Sequence, residues 1–265
     1  MHDRPFRTLP EELLLACVDP ETGVVRRPDF FNRVLSGAVL AELELCGAIT
    51  VEDLRIVQLH PVTLGEPTID TIFDEMSSHI RRGQPGAATD RLVGPRESLD
   101  ALRPGLPRGI AARLVAGARI GIAALLTKLT LEDWISTGPH FRDIEPRYLE
   151  ALETSGLLTA HRRRVLGIVP RFTWSVASPE DARRAAAVID DAVRAVVYGA
   201  GPAVPSPRAV CLVALVGASG LAIRLYPGQE NRATRDRIDR ITEGHPIGAA
   251  VSAVREADWK AREAD

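Results

Sequence analysis

Apolar residues crowd most densely between Leu9 and Ile49, in two segments, LPEELLLACVDPETG and LSGAVLAELELCGAI, that flank a short polar turn. At about 100° per residue, Phe31, Val34, Leu35, Ala38, Leu45 and Cys46 share one arc of the second segment, yet Leu40 falls opposite and Leu43 to the side. The pattern predicts a helix wrapped by other elements. Glu42 lies within the apolar arc, where an ionised carboxylate is costly unless cations or backbone amides receive it. It is expected to accept bonds from an arginine or a helix end; the competing reading is a catalytic carboxylate raised in pKa by burial.

The first helix has clear start signals: Thr8 as N-cap, Glu11 completing a capping box and Pro10 in the first turn. Asp19-Pro20-Glu21-Thr22-Gly23 turns the chain, and the second helix is expected from Asp29 to Gly47. Ile49, Val51 and Arg55 to Leu59 read as β-rich, and Thr68 to Arg82 as an amphipathic helix on Ile69, Ile72, Phe73, Met76 and Ile80. Gly83 to Gly109, rich in Gly, Pro and charge, reads as a long loop or insertion, and helical spacing returns over Ile110 to Leu131. Trp134-Ile135 anchors a short element, and a helix over Ile144 to Ser155 ends at Gly156. Ser178-Pro179-Glu180-Asp181 opens a helix to Tyr198, and the proline-rich 201–207 stretch is a stiff connector. Arg208 to Leu225 reads as one nearly all-apolar, hence central, helix, followed by helices over Glu230 to Thr242 and Ile247 to Arg262.

The sequence also echoes itself. Helix, Gly47, Ala48-Ile49-Thr50, Arg55-Ile56-Val57, Pro61 recurs as helix, Gly156, Leu157-Leu158-Thr159, Arg164-Val165-Leu166, Pro170, with eight residues from Gly to Arg and fourteen from Gly to Pro in both copies. Two units of helix plus β-hairpin are the simplest reading.

Composition narrows the class. With 45% apolar and only 5% aromatic residues in 265, closely packed helices are favoured over an aromatic-rich sandwich. The expected fold is mainly α, a central helical bundle surrounded by amphipathic helices with one or two β-hairpins, in a single domain over 1–265. Lys128 and Lys260 are the only lysines, so the positive charge is nearly all arginine, whose planar fork suits phosphate and carboxylate; a GC-rich genome explains the bias equally well. A net charge of −2 supplies no global attraction to nucleic acid or acidic membrane, so either would need a local patch. Cys17, Cys46 and Cys211 lie in apolar runs and are expected to pack in the core of a protein in a reducing compartment. The N-terminus shows no apolar signal region, and the longest apolar run, Ala209 to Ile223, is too short to span a bilayer.

Taken in order, LPEELLLACVDPETG, LSGAVLAELELCGAI, EDWI, YLEALETSGLL, RRRVLGIVP and CLVALVGASGLAIRL resemble the Golgi phosphoprotein 3 family of phosphoinositide-binding proteins. The resemblance covers most of the chain except roughly 83–126, an insertion or divergent segment. It implies a mainly α domain with a central bundle and a β-hairpin, attached peripherally to membrane. Eukaryotic members are similar in holding phosphatidylinositol 4-phosphate in a shallow basic pocket and in linking Golgi-resident enzymes to vesicle coats. The GC-rich composition suggests a bacterial relative without those Golgi partners. Where the family motif has a Trp before helix two, this chain has Arg27, with Phe30 and Phe31 nearby; the Arg before the helix-two Gly is Ser36; Arg142 and Arg147 match the family's Arg cluster, and Glu145 replaces another Arg of it.

Arg26, Arg27, Arg142 and Arg147 are therefore the expected anionic-headgroup site, since converging Arg forks give short, charge-assisted bonds to phosphate; each alone also reads as an ordinary solvated arginine. His161, Arg162, Arg163 and Arg164, beside Phe172 and Trp174, make a basic hairpin. It is expected to face membrane or a second copy, with Arg162, Arg163, Arg164 and Trp174 as its contact residues. A hairpin packed on the bundle with its arginines outward, and a winged-helix-like wing on nucleic acid, are the alternatives; acidic balance and the lack of a basic recognition helix disfavour the last. The six histidines show no ligand spacing, Gly217-Ala218-Ser219-Gly220 departs from a nucleophile elbow and suits close helix packing, and no phosphate-cradling or dinucleotide motif is present. The expectation is a non-enzymatic, cytoplasmic, peripherally membrane-associated protein without cofactor or metal. Its expected partners are anionic, phosphoinositide-like phospholipid, a protein client and a second copy through the hairpin. The alternative is a protein or nucleic-acid interaction module on the same helical scaffold, without lipid binding.

Overall fold

A computed structural model of the chain describes residues 7–60, 62, 64–82, 129–137, 141, 143–165, 169–200 and 204–264, with the side chains of 79–82, 137, 162–165 and 169–171 outside that description. The insertion expected at 83–126 and most of the helix expected over 110–131 lie outside it as well. The described chain is mainly helical with two antiparallel β-hairpins.

Helix α1 (Leu9–Ala16) opens on the expected capping box: the Thr8 amide donates to Glu11 Oε2 at 2.8 Å and Pro10 occupies the first turn. Helix α2 (Phe31–Leu45) is the centre of the molecule, packed by α1 and by helices introduced below. Leu35, Ala38, Leu40 and Leu43 are all fully buried, as a helix wrapped on every side requires. It begins two residues later than its polar start signal suggested, because Phe30 adopts the left-handed conformation (φ 57°, ψ 31°) and turns the chain sharply into the first turn. It ends at Leu45, capped by Cys46, with Gly47 at φ 71°. Cys46 is exposed there, unlike the buried Cys17 and Cys211.

Strands β1 (Ile49–Glu52) and β2 (Arg55–Leu59) form the first hairpin, with a register shift at Thr50/Val51. Its two-residue turn, Asp53-Leu54, has positive φ at both positions (47° and 60°), the geometry that matches strand twist but favours Gly at the second. Helix α3 (Pro67–Arg82) is N-capped by Glu66, whose Oε2 accepts the Ile69 amide at 2.6 Å. Helices α4 (Leu131–Thr137) and α5 (Ile144–Thr154) bury Trp134, Ile135, Tyr148 and Leu152. Strands β3 (Leu158–Val165) and β4 (Val169–Val176) form the second hairpin.

Each helix-plus-hairpin unit of the internal echo is thus present, but the residue correspondence stops after the first strand. Arg55 opens the second strand of its hairpin, whereas Arg164 lies near the end of the first strand of the other and pairs with Pro170. The longer second hairpin shifts the equal spacings out of structural register.

Helix α6 (Pro179–Tyr198) is capped by Ser178, whose hydroxyl accepts the Glu180 amide, and by Gly199 at φ 67°. The apolar run expected as one helix divides into α7 (Pro207–Ser219) and α8 (Leu221–Leu225) at Gly220, φ 76°. Ser219 makes the break: its buried hydroxyl donates to the Val216 carbonyl and accepts the Leu221 amide. Helices α9 (Arg232–Gly244) and α10 (Pro246–Ala264) complete the fold, and both pack on α7. Small residues permit close approach here: a Cβ on Gly217 of α7 would overlap Thr242 of α9, and one on Gly37 of α2 would overlap Val251 of α10.

Candidate functional site

The Asp19–Gly23 turn is built from the carboxylate of Asp19, which accepts the amides of Glu21 (3.1 Å) and Thr22 (3.0 Å) and is held below its ordinary pKa chiefly by the latter. The returning chain pairs twice. Val25 bridges Val18, and Gly23 to Val25 then run along β4: Val25 N donates to Trp174 O at 2.8 Å and Val176 N to Gly23 O at 2.9 Å. The stretch is in effect a short third strand at the base of the β3–β4 hairpin. Arg26 and Arg27 follow immediately, so the structure brings two of the expected headgroup arginines to the hairpin.

Their side chains are already engaged. Arg26, 62% exposed, lies 3.3 Å from Asp19, and its carbonyl accepts the Arg224 guanidinium. Arg27 forms an ion pair with Glu145 at the start of α5, while its partial burial lowers its pKa. Arg147 is set apart. Two residues beyond Glu145 on α5, it points roughly 200° around the helix and pairs with Glu75 of α3 at 3.3 Å. Arg27 and Arg147 thus engage different acids, Glu145 and Glu75. Arg142 lies outside the described residues. Ser36, where the family motif has an Arg, is 1% exposed and donates back to the Asn32 carbonyl within α2.

In the hairpin, Arg162, Arg163 and Arg164 pair through their backbones with Phe172, Arg171 and Pro170. Trp174, expected on the membrane-facing surface, is half-buried and packs against the core; Phe172 is the exposed aromatic, at 52%. Cross-strand register explains this, since Trp174 sits opposite Ala160 and two pairs, hence on the same face, from Leu158 and Val176 at the hairpin's root.

A second aromatic feature escaped the sequence reading. At the far end of the 24–30 segment, the Phe30 ring meets Trp259 of α10 edge to face, with centroids 5.4 Å apart and planes at 79°. Arg262 stacks over the same indole at 5.4 Å and pairs with Asp29 at 3.5 Å. The available signal was that Trp259 falls off the buried stripe of α10, formed by Ile247, Ala250, Val251 and Val254, and stays 37% exposed.

Glu42 is consumed by structure. Its Oε2 accepts the Leu9 amide at 2.7 Å, and Arg208 of α7 donates to both carboxylate oxygens at 2.9 and 3.0 Å. Arg208 also reaches the Arg7 carbonyl (2.6 Å) and Glu12 (3.3 Å), so one guanidinium ties α1, α2 and α7. The expectation of an acceptor for an arginine and a helix end is met on both counts; Arg208 itself was missed, because nothing local marks a partner so distant in sequence. Cys211 and His245 form another close pair at 3.3 Å. The Gly248 amide faces His245 Nδ1, which leaves the ring proton on Nε2 towards the sulfur, and burial pushes the thiol up to about 11. That arrangement does not generate a thiolate.

Among the described residues there is no cluster of His, Cys, Asp and Glu suited to a metal ion, and no helix is long and apolar enough to cross a membrane. No individually curated protein matches the sequence. The sequence model of the family described as Golgi phosphoprotein 3 (GPP34) matches residues 9–122 and 113–257, which together take in α1, the 23–27 edge, both hairpins and α10 as far as residue 257. A buried α2 clamped to α1 through Glu42, with a β-hairpin held against the α1–α2 turn, is thus the architecture of a chain that belongs to the Golgi phosphoprotein 3 family.

Proposed function

We propose that the protein is a non-catalytic, peripheral membrane protein that docks on anionic, phosphoinositide-type headgroups through the edge formed by Arg26, Arg27 and the β3–β4 hairpin, on the cytoplasmic side. Family membership is consistent with a lipid-binding or adaptor role. The observation that carries the lipid reading is the backbone ladder from Gly23–Val25 to β4, which aligns two arginines with a hairpin containing Arg162, Arg163 and Arg164. The Arg26–Asp19 ion pair is screened by solvent and weak, so a phosphate can displace the carboxylate and gain a charge-assisted bond. Arg27 is the gated member, because Glu145 must release it first.

The test is flotation with vesicles of phosphatidylcholine containing phosphatidylinositol 4-phosphate or phosphatidylserine. Wild type is expected to float at low salt, less at physiological salt, and Arg26→Ala/Arg27→Ala to lose roughly thirtyfold in apparent affinity, on the order of 1 kcal/mol per basic residue near the surface. Glu145→Gln frees Arg27 and is expected to bind more tightly. Absence of wild-type flotation on every anionic composition at low salt would overturn the proposal and favour an interaction module that binds protein alone. The compensation of Arg26, Arg27 and Arg147 by carboxylates is what such a module would show.

A further inference from the structure

We infer that the Phe30–Trp259 pair is the aromatic anchor by which this protein seats on an anionic bilayer, the rings entering the headgroup–acyl boundary beside the arginine edge. The inference rests on the peripheral-membrane reading above and adds the residues that touch the bilayer interior.

Four observations carry it. Trp259 departs from the apolar stripe of its own helix and stays 37% exposed, so core packing does not account for it. Its ring is nonetheless fixed, edge to face with Phe30 and under the Arg262 guanidinium, which is how an amphipathic indole is held at an interface rather than left to collapse onto the surface. Phe30 reaches that position only through a left-handed backbone, φ 57°, that a bulky side chain rarely adopts; the turn places the ring on α10. Finally, Phe30 follows Val25 by five residues. Val25 is bonded to β4, so Arg26, Arg27 and the aromatic pair lie within roughly 18 Å of chain from the hairpin root, a span one membrane plane covers.

The hairpin beside this corner selects an anionic surface. Between residues 158 and 176 it carries Arg162, Arg163, Arg164 and Arg171 and no aspartate or glutamate. The corner itself is balanced: Arg33–Asp258, Arg262–Asp29, Lys260–Glu256 and the pairs of Arg26 and Arg27 cancel one for one, and Arg224 and Arg255, which donate to backbone carbonyls, are matched in number by Glu21 and Glu263. The whole chain is net negative, so the attraction is local to the hairpin.

The tryptophans make a direct test. The sequence has three, and Trp134 is 2% exposed; in a Trp174→Phe background, Trp259 is therefore the indole able to respond to lipid. With vesicles of phosphatidylcholine and phosphatidylserine, its emission is expected to shift to the blue and to be quenched by phospholipid brominated high in the acyl chain. Trp259→Phe in the same background is expected to abolish both signals while keeping an aromatic ring in place. Phe30→Ala/Trp259→Ala is expected to weaken flotation roughly tenfold, the scale of moving a large apolar side chain part-way out of water, with the thermal unfolding midpoint measured alongside as a control on folding. Flotation of wild type with Trp259 neither shifted nor quenched, and with the double variant floating as wild type does, would overturn this inference and leave peripheral binding standing. Failure of wild type to float would overturn both.

Discussion

Arg208 shows how much a single side chain can organise when its geometry is right. Its fork meets both oxygens of Glu42, the Glu12 carboxylate and the Arg7 carbonyl, and Glu42 in turn receives the Leu9 amide at the start of α1. Removing the cation leaves Glu42 and Glu12 buried without their countercharge, so Arg208→Ala is expected to cost roughly 3 kcal/mol in urea unfolding. Glu12 is the weaker member: its Oε2 is buried without a hydrogen bond, and burial, more than any neighbouring charge, raises its pKa above the ordinary 4.5. An acid raised in the folded state contributes stability fully below its unfolded pKa, and that contribution fades as pH climbs through the folded value. Glu12→Gln is therefore expected to keep neutral-pH stability within about 1 kcal/mol of wild type and to flatten the loss of stability above pH 4.5, which a series of urea titrations against pH would measure. His245 has the opposite sign. Burial lowers its pKa below 6.5, so its contribution is present above that pH and is lost as pH falls, and between the two ordinary values the two groups offset one another.

At the scale of elements, arginines act as ties between helices. Arg33 donates to the Ile135 and Ser136 carbonyls at the end of α4, Arg224 to Ala16 at the end of α1, Arg237 to Val197 in the last turn of α6 and Arg255 to Ala218 in that of α7. Each satisfies carbonyls that a helix end leaves open, and the planar fork serves two acceptors where an ammonium serves points. The arginine excess, which composition alone could not interpret, thus has a structural use in this chain. Helices with local start and stop signals were legible: the capping box of α1, Ser178 before α6 and Gly199 after it fall where the residues place them. The break at Gly220 was not, because Ser219 and Gly220 interrupt an apolar run without interrupting its hydrophobicity. Nor was the left-handed turn at Phe30, which no residue preference announces. The same conformation at Leu54, 44% exposed, has no aromatic partner to hold it. Leu54→Gly is expected to stabilise the chain by about 1 kcal/mol, read as a rise in the thermal midpoint, since Gly adopts the second position of this turn without penalty.

For the whole molecule, the fold was readable from pattern and the site only in part, and the reason is range. Periodicity along α2, α3 and α5 reports on neighbours a few residues away, whereas Glu145 neutralising Arg27, Glu75 engaging Arg147 and Trp259 meeting Phe30 depend on how distant segments arrive beside one another. The strand-like addition of Gly23–Val25 to β4 is another such long-range feature, and one substitution can cut it. Val24 meets Ser175 across a loop that includes α2 to α5, so the entropy of closing that loop has to be met before the bond returns anything. The addition therefore belongs to the last stage of folding, after α1, α2 and α5 have collapsed around their shared core. Val25→Pro, which removes the amide that Trp174 accepts, is expected to leave the folding arm of a chevron plot unchanged and to raise the unfolding rate on the order of tenfold. The edge that carries Arg26 and Arg27 would then be the first part of the native structure to come undone, and its lifetime would set how long the hairpin and the arginines remain side by side.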